Sequence, residues 1–106
     1  MSLRLFCFAA LLVAEAPVAL AQESGSAERG HRFALDACAE CHAVERGIYE
    51  SPLYEAPSFA EIADSEDMSS VALVPFFQTS HPSMPNFVIP ADDIRDLTAY
   101  LLSLRH

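Results

Sequence analysis

Apolar residues fall at helical spacing most clearly near the end of the chain. Ile94, Leu97, Leu101 and Leu104 lie three or four positions apart, one stripe of a helix predicted over Ala91–Leu104. Asp92 and Asp93 stand in its first turn and Arg105 and His106 at its end, the charge order that a helix dipole favours. A second helix is predicted over Ala27–Ala37, with Ser26 as N-cap and Glu28 in the first turn. Residues 42–58 keep no sustained period and carry Gly47, Pro52 and Pro57, so they read as an irregular loop. A short helix follows at Phe59–Ala63. Ser70–Thr79 also reads as helix, although Pro75 inside it should cost a hydrogen bond. Ser80–Pro90 contains Pro82, Pro85 and Pro90 and reads as an extended loop. No internal repeat or long low-complexity segment interrupts this scheme, which is all-α with long loops.

The first stretch has a different pattern. Met1–Ala21 opens with one positive charge, Arg4, continues through the largely apolar run Leu5–Val13, and reaches Ala19-Leu20-Ala21. Small residues flanking a larger one after such a run form the pattern of a signal-peptidase site, so cleavage is expected after Ala21. A membrane span is disfavoured, because the run is too short and is interrupted by Glu15 and Pro17. The expected organisation is a signal peptide over 1–21 and one domain over 22–106, with Gln22–Ser26 a polar, flexible lead-in. The expected location is the periplasm.

Cleavage changes the cysteine count. Cys7 leaves with the signal, and Cys38 and Cys41 remain of the three cysteines. A bridge between them would close only a tiny loop, which suits redox chemistry better than stapling a fold. A domain of this size buries a modest core and often needs a disulfide, metal or cofactor to hold it. Yet the chain is rich in apolar residues, among them Phe33, Phe59, Phe76, Phe77 and Phe87. A large, flat, apolar cofactor would answer both needs.

Charge narrows the partners. Of six Lys or Arg and fifteen Asp or Glu, cleavage removes Arg4 and Glu15, so the net charge stays at −9 (5 − 14). All the cations are arginines. Nucleic acid and anionic membrane surfaces are therefore poor partners, and no stable membrane insertion is expected after cleavage. The acidic surface serves solubility first, with a docking role for some carboxylates as the sharper alternative.

Cys38-Ala39-Glu40-Cys41-His42 decides the chemistry, since C-x-x-C-H is the attachment motif for haem c. Two thiols add across the two vinyl groups of one haem, and the two-residue spacer lets both sulfurs reach vinyls on adjacent pyrroles. The following His42 then lies under the iron as its proximal ligand. A thioredoxin-like dithiol would open a helix after a strand, and no strand is predicted before Cys38. A zinc site would need a second ligand pair, which only His31, His81 and His106 remain to offer. The motif also follows an export signal, leading to the compartment where bacteria attach haem.

For the sixth iron position the candidates are Met68, Met84, His31, His81 and His106. Met84 is favoured, because His81-Pro82-Ser83-Met84-Pro85-Asn86 is a stiff, proline-bounded loop able to hold a thioether against the iron. His81 is next, its ordinary role being a surface or hydrogen-bonding residue. Met68 reads as core filler.

With these parts in this order, the chain resembles the class I c-type cytochromes, especially small single-haem bacterial ones, over about Glu28 to Leu104. The resemblance implies a cytochrome c-like fold of about three to four helices wrapped around one covalent haem. In that family a glycine and an aromatic on the first helix pack against an aromatic on the last; Gly30 and Phe33 match the first pair, Leu97 and Tyr100 the second. Ala56-Pro57-Ser58-Phe59 resembles the segment whose proline carbonyl accepts a hydrogen bond from the proximal imidazole. By that match Pro57 orients His42 and Phe59 lines the haem. The lysine ring by which mitochondrial relatives dock is missing here, so partner identity does not carry over.

Two axial protein ligands leave iron no open site, which favours single-electron transfer over catalysis. The expected function is a free periplasmic carrier cycling Fe(III)/Fe(II), acting with redox partner proteins and not itself an enzyme. It would be a monomer or part of a redox complex. The alternatives are a dedicated cytochrome subunit of a dehydrogenase or oxidase, and a haem-based ligand sensor, which would need a displaceable sixth ligand.

Overall fold

The computed structural model describes residues 25–80, 82–86 and 88–106. The expected signal peptide, most of the lead-in, Phe87 and the candidate ligand His81 lie outside the described residues. Within them the chain forms four helices and no strand: α1 (Ala27–Ala37), α2 (Phe59–Asp64), α3 (Ser70–Gln78) and α4 (Ala91–Ser103). The expected elements are present, with ends within one residue of the sequence reading.

Local chemistry starts three of them. Ser26 Oγ accepts from the Arg29 amide and Ser69 Oγ from the Ala72 amide. Ser58 and Glu61 form a reciprocal capping box at α2. Helix α4 begins at Pro90 with no side-chain cap and relies on Asp92 and Asp93 in its first turn. Pro75 does lie inside α3. Its ring removes the donor for the carbonyl of Val71, and Val71 and Pro75 are both exposed, on the side of the helix where an unpaired carbonyl costs least.

Helix α4 is the spine. Ile94, Leu97, Leu101 and Leu104 are buried as the stripe predicted, each contributing about 1.5–3 kcal/mol relative to exposure. Helices α1, α2 and α3 all pack on it, α1 most extensively. Close approach of α1 and α4 depends on Gly30. A Cβ there would lie 2.5 Å from the Asp96 carbonyl carbon, closer still to its oxygen, and 2.8 Å from Tyr100 Cβ. The expected partner of Tyr100 differs in part. Phe33 packs at the edge of the core, whereas the rings beside Tyr100 are His31 at 4.8 Å and Phe59 at 6.5 Å. Glu45 holds the His31 imidazole at 2.9 Å, and Tyr100 donates its hydroxyl to the Val44 carbonyl at 2.6 Å.

Two sequence expectations need correction. Gly25 and Ser26 are not a loose lead-in: Gly25 lies against the Arg95–Asp96 peptide, and the Ser26 amide donates to Asp96 Oδ1 at 2.6 Å. Arg29 closes the same carboxylate through Nε at 2.7 Å and Nη2 at 3.0 Å. Arg105, expected to serve the end of α4, instead donates to the carbonyls of Ala63 and Met68, where α2 runs out. The Ser103 carbonyl near the end of α4 accepts from Arg46. Ala63 and Ser103 lie in the last turns of α2 and α4, so each guanidinium satisfies a carbonyl that a helix end leaves without a partner, and Arg105 also ties down the turn at Met68.

Candidate functional site

The C-x-x-C-H segment continues the hand of α1. Cys38 caps the helix, its amide donating to the Ala34 carbonyl at 2.9 Å. The amides of Cys41 and His42 both return to the Cys38 carbonyl, at 3.2 and 2.9 Å. Residues three and four apart in such a turn share a side. Cys38, Cys41 and His42 therefore point into one space.

The loop that follows closes back over this turn. The Leu53 amide donates to the Cys41 carbonyl at 3.1 Å, the Ala43 amide to Ser51 Oγ at 3.0 Å, and the Phe59 amide to the Ala43 carbonyl at 2.9 Å. These bonds place the Pro57 carbonyl 2.7 Å from His42 Nδ1. Nδ1 donates to it, which leaves Nε2 as the free lone pair of the ring. Phe59 is almost fully buried and its ring centroid lies 5.6 Å from that of His42.

Cys38, Cys41, His42, Pro57, Phe59 and Met84 all line one cavity of about 400 Å³. Met84 reaches it from the proline-bounded loop between α3 and α4, with Pro82, Ser83 and Pro85 beside it. The rest of the wall is largely apolar: Leu53, Ile62, Leu73, Phe76, Phe77 and Leu101, with Glu55 as the charged lining residue. Such a volume with mostly apolar walls fits a small-molecule site, commonly ~300–1,000 Å³. Two thiols and an imidazole on one side turn, inside a greasy hollow, fit a flat porphyrin joined through its vinyls.

The other candidates are distributed differently. Met68, read as core filler, packs against the core and also lines the cavity. His31 is engaged with Glu45 and Tyr100, and His106 contacts the Tyr49 hydroxyl at 3.3 Å; neither lines the cavity. Ser51 and Leu53 carried no signal in the sequence, since nothing periodic marks a loop whose bonds return to Ala43 and Cys41. Phe76 and Phe77 were visible as apolar residues without an evident place; the cavity is that place.

Burial pushes the Cys38 thiol up to about 11, with the neighbouring Cys41 adding to the effect. A redox-active C-x-x-C needs the reverse, a thiol lowered by positive surroundings. No Lys or Arg side chain lines this hollow among the described residues. The dithiol reading has no support in the site. Nor do the described residues gather three His, Cys, Asp or Glu side chains able to hold a metal ion by themselves.

Comparison with known proteins agrees with this geometry. The sequence matches the Cytochrome c family over residues 27–105. It is 35% identical over 103 residues, 97% of this chain and 95% of the other, to Cytochrome c-552 of Bradyrhizobium diazoefficiens. No solved structure matches. The chain belongs to the cytochrome c family, electron-transfer proteins whose cofactor is covalently bound haem c.

Proposed function

We propose that the chain is an exported, periplasmic single-electron carrier, free rather than enzymatic, with His42 and Met84 as the axial ligands of one haem held by Cys38 and Cys41. The observation that carries this reading is the single cavity onto which all four side chains open. The haem, when bound, supplies an iron that takes up and releases one electron. The protein's part is to hold the surroundings still while that happens. His42 is fixed in tautomer and orientation by the Pro57 carbonyl. Met84 is carried on a loop stiffened by Pro82 and Pro85, whose fixed φ angles limit its excursions. Phe59, Leu73 and Leu101 are buried on the inner wall and keep water from the ring.

Partner proteins would meet a surface with a net charge of −9, which suits a basic docking face better than an acidic one. Neither nucleic acid nor a membrane fits that charge. Among the described residues no helix is long and apolar enough to cross a membrane.

The test uses protein matured with haem-attachment machinery in a periplasm. Intact mass should show a chain beginning at Gln22 plus one haem. The reduced wild type should not bind carbon monoxide at neutral pH, whereas Met84→Ala should bind it, because the thioether no longer fills the sixth position. Ready binding by the wild type would refute Met84 ligation and point to a ligand sensor. A bare polypeptide mass would remove the whole reading.

A further inference from the structure

The capping box of α2 shares a peptide group with the imidazole of His42. The Pro57 carbonyl oxygen accepts from His42 Nδ1 at 2.7 Å, and the N–H of that same peptide, on Ser58, donates to Glu61 Oε2 at 2.9 Å. Ser58 Oγ donates to the same oxygen at 3.0 Å and accepts from the Glu61 amide at 3.1 Å. Ser58 is fully buried, so no water competes for its polar atoms. The row therefore runs imidazole N–H, carbonyl, amide N–H, carboxylate.

We propose that Glu61 is a positioning residue for the haem iron, acting on the imidazole of His42 through the Pro57–Ser58 peptide. This rests on the reading of His42 as proximal ligand. Resonance joins the C=O and N–H of one peptide, so charge drawn at one end is felt at the other. A carboxylate hydrogen-bonded to the N–H pushes electron density onto the carbonyl oxygen, which becomes a stronger acceptor. Bonds linked in this way strengthen one another by about 10–30% each. A stronger bond at Nδ1 makes the ring a more basic ligand and favours the more positive iron, Fe(III). No proton changes place. A capping box alone requires only that residue 61 accept a hydrogen bond, which glutamine does equally well. The charge is the part that the cap does not need.

That difference sets the experiment on the haem-loaded protein. Glu61→Gln keeps the cap and removes the charge. Its melting temperature should stay at the wild-type value, while the reduced form becomes favoured about threefold, a rise of ~28 mV at 59 mV per tenfold for one electron. The Nδ1 proton of His42 in the diamagnetic ferrous state should move upfield as its hydrogen bond weakens. Ser58→Ala keeps the peptide N–H and loses the hydroxyl cap, so it should melt lower with its potential unmoved. Glu66→Gln, an exposed acid beyond α2, controls for charge acting through solvent, and its smaller shift should vanish in high salt. An Glu61→Gln shift no larger than that of Glu66→Gln, an unmoved Nδ1 proton, or a potential that follows the melting temperature in both capping variants would overturn the proposal. Each of those results leaves His42 ligation intact. Loss of that ligation would show instead as a wild-type spectrum without an iron–histidine signature.

Discussion

Replacing Gly30 with alanine should unfold this protein earlier, against the usual trend for a helix. At an unhindered helix position Gly→Ala stabilises by about 1 kcal/mol, because glycine has more backbone freedom to lose. At Gly30 the added methyl meets the Asp96 backbone and the Cβ of Tyr100, which no side-chain rotation can move away. It would fall 2.5 Å from the Asp96 carbonyl carbon, nearer to the oxygen, and 2.8 Å from Tyr100 Cβ. Relief requires α1 and α4 to move apart as rigid bodies, which loosens the buried contacts of Ala34, Leu97 and Tyr100. Overpacking of this kind costs typically 1–3 kcal/mol, and a backbone obstacle places it at the upper end, about 3. Subtracting the helix gain leaves a net loss of ~2 kcal/mol, or a fall of roughly 8–16 °C in Tm for a domain of this size. Thermal unfolding of the haem-loaded protein, followed by far-ultraviolet circular dichroism, measures it directly. A Gly30→Ala protein melting at or above the wild-type temperature would mean that the two helices do not meet at this residue.

Two further outcomes follow from groups beside the same interface. Thr98 is buried on α4 and its hydroxyl has no hydrogen-bond partner, so Thr98→Val should stabilise by about 1 kcal/mol and raise Tm by several degrees. A lower Tm would show that the hydroxyl is satisfied by an internal water. Asp96 is held below its ordinary value of 3.8, chiefly by its hydrogen bond from Arg29 and then by that from the Ser26 amide. A carboxyl depressed in the folded state adds stability that is complete above its unfolded pKa and lost as pH falls through the folded one. Asp96→Asn should therefore melt below the wild type at neutral pH, with the gap closing below pH 3.8 as the wild type loses this contribution. A gap of constant size at every pH would show that ionisation of Asp96 does not matter.

The helices are written along the chain, because what starts and stops them acts over three or four residues. Ser26, Ser58 and Ser69 cap helices whose first turns they adjoin, and the stripe Ile94, Leu97, Leu101, Leu104 is buried on the face its spacing indicates. Part of the cavity's lining was legible for the same reason: Cys38, Cys41 and His42 are neighbours in sequence, and Met84 stands in a loop marked by prolines. The fold decided the relations between distant segments. Asp96 reads as one more exposed acid until the fold sets it against Arg29 and Ser26, sixty-seven and seventy positions away. Arg105 reads as the natural partner of its own helix end until the fold presents the carbonyls of Ala63 in α2 and of Met68 in the turn after it. Gly25 looks like linker until α4 passes beside it. The bond from His42 to the Pro57 carbonyl was expected from family resemblance alone, because periodicity and capping say nothing of it; packing is what brings that imidazole to the carbonyl. Periodicity and capping are written along the chain, whereas the partner of a charge or a carbonyl is fixed only when chain segments meet.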